Sequence, residues 1–195
     1  RPPGHVAMAK LLQCTSLISL NAEIWDLAAG GFLPFNTNKF PFLRTLQLPF
    51  CNMSSEDLKA IANGCPNLEV LRIDSNRSIE NSGVSAICRS DSKLEFLNLL
   101  NIPYLSDPAL IALAELPALK TLYIGVMHEA TENGLMAFAR GRSATSLDTL
   151  VLLPTLALRT RCGGVLCMGV RVSECENVCA WCESVSECEC VSVSV

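Results

Sequence analysis

Aliphatic residues return along this chain in one short pattern at long, nearly constant intervals. Leu43, Leu46 and Leu48 followed by Cys51 read LxxLxLxxC, and the same spacing recurs at Leu68, Leu71, Ile73 and Asn76. Leu94, Leu97, Leu99 and Ile102 repeat it, as do Leu119, Leu122, Ile124 and Met127, with a looser copy at Leu147, Leu150, Leu152 and Thr155. A degraded first copy is Leu17, Leu20, Ala22 and Trp25, so the six starts lie 26, 25, 26, 25 and 28 residues apart. The alternation inside each copy predicts a short strand with its leucines on one side.

The second half of each period carries a different rhythm. Leu58 and Ile61, Val84 and Ile87, Leu110 and Leu113, and Leu135 and Phe138 stand three apart, with Ala62, Cys88, Ala114 and Ala139 adding the fourth position of a helical stripe. Ser54 ahead of Glu56 and Asp57, Ser106 ahead of Asp107 and Pro108, and Thr131 ahead of Glu132 supply caps and acids where free amides and the positive dipole end lie. Gly64 and Gly141 fit helix ends. Pro41, Pro66 and Pro117 each stand two residues before a strand leucine, where a fixed φ turns the chain back. Each unit therefore reads strand, turn, helix, turn. One such unit cannot bury its own leucines, so the units must stack around a shared core, with parallel strands on the concave side and helices on the convex side. The expectation is an α/β fold, an open right-handed horseshoe of about five to six repeats, occupying residues 1–160.

Composition narrows the function classes. Half of the 195 residues are apolar, enough for one domain with a continuous core. Up to Arg161 basic and acidic residues balance at 14 each, and the net charge of −4 arises after it, from Arg171 against five glutamates. Nothing in that distribution points to nucleic acid. Asp148, Pro154 and Arg159 interrupt the longest apolar stretch, so no membrane span is expected. The start at Arg1, without a charged and then apolar leader, reads as a fragment or processed product. His5 and His128 are the only histidines and lie outside any ligand spacing, and Gly30 and Gly31 are followed by Phe32 and Leu33 rather than by a lysine and a hydroxyl. No catalytic constellation, cofactor site or metal site is read from these residues, and Cys51 and Asn76 are expected to be structural, ending the strand against the turn backbone.

If the leucines point inward, alternate strand residues face out on the concave sheet. The middle row is then Gln47, Arg72, Asn98 and Tyr123, and with Asp74 and Phe96 these six residues form the expected protein-binding surface. Arg and Tyr are enriched at interface hot spots, and Phe96 beside Leu100 adds apolar area. The bland alternative is an ordinary soluble strand surface.

The period near 26, Cys51 or Asn76 closing the strand, and SSEDLKAIANGCPNLEVLRI from Ser54 to Ile73 resemble the cysteine-containing leucine-rich repeats of F-box ubiquitin-ligase adaptors, over roughly residues 10–155. The chain departs from that pattern where Trp25, Ile102 and Met127 take the end slot, and it shows no F-box-like helical segment ahead of the repeats. The resemblance implies a non-enzymatic, substrate-recognising segment of an SCF-type adaptor, cytoplasmic or nuclear. It also implies a protein partner on the concave face and ligase subunits reached through a missing N-terminal segment. A scaffold or sensor solenoid unrelated to ubiquitin is the alternative.

Residues 161–195 break the period and hold seven of the eleven cysteines. Cys179 and Cys182 form a CxxC without a second pair at zinc-ribbon spacing, and a disulfide module would leave one of seven cysteines over. The ending matches translated simple-repeat DNA, since GTGAGT reads Val-Ser in one frame and, on repetition, Glu-Cys in another. The expectation is a low-complexity tail, disordered or a translation artefact, with a metal-binding cysteine tail as the lesser alternative.

Burying one leucine contributes roughly 1.5–3 kcal/mol. Leu71→Asp should therefore unfold at least the neighbouring units, and a circular dichroism melt identical to that of the parent would contradict the proposed register.

Overall fold

The computed structural model describes residues 14–23, 40–89, 92–125 and 127–152. Within them six strands form one parallel sheet in chain order: β1 (Ser19–Asn21), β2 (Thr45–Gln47), β3 (Val70–Arg72), β4 (Phe96–Leu99), β5 (Thr121–Ile124) and β6 (Thr149–Leu152). The register places Leu20, Leu46, Leu71, Leu97, Leu122 and Leu150 side by side, which is the leucine ladder that the sequence period predicts. Leu46, Leu71, Leu97 and Leu122 have no exposed surface, whereas Leu20 and Leu150 on the outermost strands are only partly buried. The residues matched in the sequence tail, together with Trp25, Leu153 and Thr155, lie outside the described residues.

Five helices follow: α1 (Ser55–Gly64), α2 (Asn81–Ile87), α3 (Asp107–Leu113), α4 (Glu132–Ala139) and the single turn α5 (Ser143–Ser146). The sequence pattern predicts the first four and misses α5, which occupies the extra residues of the longest period. Consecutive helices pack on one another as consecutive strands do. Strands pair about 4.8 Å apart while packed helices need roughly 8–10 Å, so the stack curves with the sheet on its inner side.

The helix starts are held by two different means. Ser54 and Asp57 form a reciprocal capping box, and the Thr131 hydroxyl accepts from the Asn133 amide. Ser106 caps nothing with its own side chain. Its amide is instead bonded by the Asn81 side chain at 3.0 Å, the first residue of the preceding helix. This is a repeated device: Ser55 Oγ accepts from the Glu80 amide at 2.9 Å, and Asp107 Oδ1 from the Thr131 amide at 2.7 Å. α1, α2 and α3 thus each satisfy an amide at the start of the next helix. The ladder requires close approach, and a Cβ on Gly134 would fall 2.2 Å from Asp107 Oδ1. Gly141, just past the end of α4 as the sequence pattern places it, likewise answers to proximity, since its Cβ would lie 2.3 Å from that of Ala114.

Left-handed backbone appears elsewhere. Phe50, Ser75 and Asn101 have φ of 56°, 63° and 57° and hold corresponding places after β2, β3 and β4. The turn geometry repeats although no glycine marks it.

Asn76 is fully buried at the close of β3's turn. Its Oδ1 accepts from the amides of Cys51 at 3.0 Å and Met53 at 2.9 Å, and its Nδ2 donates to the carbonyls of Leu48 and Ile73, each at 2.8 Å. One side chain thereby ties two successive turns. Cys51, in the same slot one unit earlier, donates its thiol to the Ala22 carbonyl at 3.1 Å. The structural reading of both residues holds.

Truncating Asn76 strands two amides and two carbonyls, each costing about 1–3 kcal/mol when buried unpaired. Asn76→Ala should lower stability by about 3 kcal/mol or more in urea titration; a loss below about 1 kcal/mol would mean that water or relaxation replaces these bonds.

Candidate functional site

The sheet face is built by the strand alternation. With the leucines inward, Gln47, Arg72, Asn98 and Tyr123 stand in register as one row across β2 to β5, as the sequence period places them. Gln47, Arg72 and Tyr123 are partly exposed, and so is Phe96. Asn98 and Asp74 are not: they retain only 8% and 7% of their surface. The Asn98 carboxamide turns back on its own strand end and accepts from the Leu100 amide at 3.0 Å. Asp74 accepts from Arg72 Nε at 2.7 Å. Asp74 lies two residues past the end of β3, and Asn98, although inside β4, is drawn back by its bond to the Leu100 amide.

Arg72 is pinned at one edge of its guanidinium. The hydrogen bond to Asp74 holds it above its usual pKa, burial works against that, and the charges of Asp74 and Glu23 add to the rise. Its remaining nitrogens make no other hydrogen bond among the described residues. Phe96 and Tyr123 on adjacent strands form a tilted aromatic pair, centroids 5.6 Å apart with 43° between planes.

A second row, absent from the sequence reading, lies immediately before the strands. Ile18, Arg44, Glu69, Glu95, Lys120 and Asp148 hold equivalent positions, and the first five carbonyls each accept from two amides of the next unit, as Arg44 does from Glu69 and Val70 at 2.8 Å. Arg44 pairs with Glu69, and Lys120 with Glu95 at 2.8 Å. The bond to Glu95 raises the Lys120 pKa. The signal was available, since the residue preceding each strand pair is charged in five successive units, but only register shows that the charges adjoin.

The family-model comparison agrees with this architecture. Residues 1–92 match the family model described as "FBD-associated F-box protein At5g56370, LRR repeats". The fold is that of a leucine-rich repeat solenoid. No curated protein matches it. Among solved structures it is similar to that titled "Crystal structure of Rad7 and Elc1 complex in yeast", at 22% identity and a TM-score of 0.46, covering 57% of this chain and 29% of that one. The chain thus spans under a third of that structure's chain.

The remaining chemistry-bearing groups of the leucine-rich repeat core are thiols. Burial pushes both Cys65 and Cys88 up to about 12, so each stays a neutral thiol at physiological pH. Cys65 borders a cavity of about 100 Å³ between α1 and α2, where α2 ends three residues short of α1's length. Among the described residues no three His, Cys, Asp or Glu side chains gather where a metal ion could be held, and no helix is long and apolar enough to cross a membrane.

Because the thiolate is the reacting species, Cys65 and Cys88 should resist iodoacetamide in the native protein at pH 8, while exposed Cys14 is alkylated. Peptide mapping by mass spectrometry checks this. Labelling of Cys65 or Cys88 at the rate of Cys14 would show that the interior opens.

Proposed function

We propose that this protein binds a protein partner across the inner face of its sheet, as the substrate-recognising part of a ubiquitin-ligase adaptor. The single observation that carries the binding half is the register of Gln47, Arg72 and Tyr123 on one partly exposed row, with Phe96 tilted against Tyr123 beside it. Arg and Tyr dominate interface hot spots, and a row fixed by a packed sheet loses little entropy on binding. Asp74 and Asn98 belong to the site as positioning groups: Asp74 orients Arg72, and Asn98 shapes the strand end between Arg72 and Tyr123.

The ligase half rests on the match of residues 1–92 to repeats of an F-box protein. Under this reading the adaptor works in the cytoplasm or nucleus, with its ligase subunits recruited through a segment outside the repeats. The free thiols Cys65 and Cys88 fit a reducing compartment.

The test compares proteins cross-linked to the wild-type chain with those cross-linked to the double variant Arg72→Ala, Tyr123→Ala. At least one partner should be lost by more than about tenfold, the scale of removing two hot-spot side chains. Its ubiquitylation should also fall when excess chain competes for it. Recovery indifferent to the double variant removes the sheet face from the account; a lost partner whose ubiquitylation is unchanged leaves a scaffold or sensor unconnected with ubiquitin.

A further inference from the structure

Three cations lie on the sheet face and its rim, and each is already engaged. Arg44 is bonded to Glu69, Arg72 to Asp74 and Lys120 to Glu95. Glu23, just after β1, and Asp148, just before β6, are exposed at the two margins of the sheet and make no ion pair among the described residues. Carboxylates therefore outnumber cations by five to three, and the surplus is unpaired.

This asymmetry decides which partner charge is tolerated. An anionic group would have to draw a guanidinium or ammonium away from a carboxylate that already holds it. A cationic group meets an exposed carboxylate without an ion pair at either margin, Glu23 after β1 or Asp148 before β6, and between them the partly exposed Glu69 and Glu95, which keep open lone pairs after bonding their own cation. The aromatic pair acts in the same direction. Phe96 and Tyr123 are partly exposed and tilted, and an ammonium or guanidinium within about 6 Å of such a ring is attracted to its face. At the rim beyond β2, Phe50 is 57% exposed on left-handed backbone that the turn imposes, which adds an apolar contact beside the charged face.

We infer that the segment bound by this face is basic and partly apolar: a lysine or arginine next to an aliphatic or aromatic side chain, its cation over Phe96 and Tyr123 and its charge answered by the rim carboxylates. The inference rests on the reading that the sheet face is the binding surface and adds the chemistry of what it binds. Acidic and phosphorylated segments are the class that the face rejects.

The experiment is selection from a displayed random-peptide library on the full-length chain, followed by fluorescence anisotropy of the enriched peptides. The peptides should carry Lys or Arg beside an apolar residue, and their affinity should fall as salt rises from 50 to about 300 mM, because exposed charge attraction is screened. Tyr123→Ala and Glu95→Lys should each weaken binding by about tenfold or more. Both variants are at partly exposed positions, and thermal melts confirm that each is folded. Enriched peptides that are acidic or uncharged, yet lost with Tyr123→Ala, overturn the inferred chemistry and leave the binding face standing. Peptides whose affinity ignores both variants overturn the chemistry and the face together. A library that yields no enriched peptide also overturns the inference.

Discussion

Every part of this molecule depends on the fact that a strand of three or four residues cannot bury its own leucine. Leu71 is sealed because Leu46 and Leu97 flank it in register, and each of those is sealed by its own neighbour in turn. Coverage fails at the outermost strands, where Leu20 and Leu150 stay partly exposed. Stability in such a stack is a sum of nearest-neighbour interfaces, so a defect in one unit is felt first by the two beside it. Parallel pairing enforces the same dependence in the backbone, since amides at the start of a strand bond the previous unit's carbonyls and amides past its end bond the next unit's.

Polar groups set the spacing that the leucines alone would leave loose. On the helix side, Ser55, Asn81 and Asp107 each bond the amide that begins the next helix. In the interior, Asn76 does the same for two turns and brings four bonds to a fully buried position. On the sheet rim, Arg44–Glu69 and Lys120–Glu95 join neighbouring units through exposed ion pairs. Their weights differ. Exposed pairs contribute about 0–1 kcal/mol each, whereas a buried hydrogen-bonded asparagine cannot be removed without leaving several groups unpaired. Asn76 therefore holds the turns, and the rim pairs chiefly shape the surface potential.

The period was legible in the sequence because it is carried by residue type: only an aliphatic side chain suits the ladder positions, so they recur at intervals a reader can measure. The capping box of Ser54 and Asp57 was legible too, its two members being three residues apart. What stayed hidden depends on residues a whole period apart. Ser106 looks like a cap, yet its amide is satisfied by Asn81, 25 residues earlier. Left-handed turns at Phe50, Ser75 and Asn101 carry no glycine, since the surrounding unit imposes them. The outward face was legible as a row, and its exposure was not: Asp74 and Asn98 are held back by hydrogen bonds to Arg72 and to the Leu100 amide, which no residue spacing announces.

That division between inward and outward positions also bears on how such a surface acquires a partner. The inward leucines and Asn76 are constrained by packing and by hydrogen bonds, so little can change there without cost. Outward residues are held at fixed spacing by the same backbone, yet nothing in the core dictates their chemistry. Tyr123 stands where a neighbouring unit has Asn98 and the next has Arg72, three unlike side chains on three equivalent backbones. The rim behaves likewise, with arginine, glutamate, lysine and aspartate at one repeated place. A rigid grid with free choice at each outward point can be composed for charge without disturbing its stability. Here the composition leaves carboxylates in excess beside an aromatic pair, and the cations that would offset them are already committed within the face.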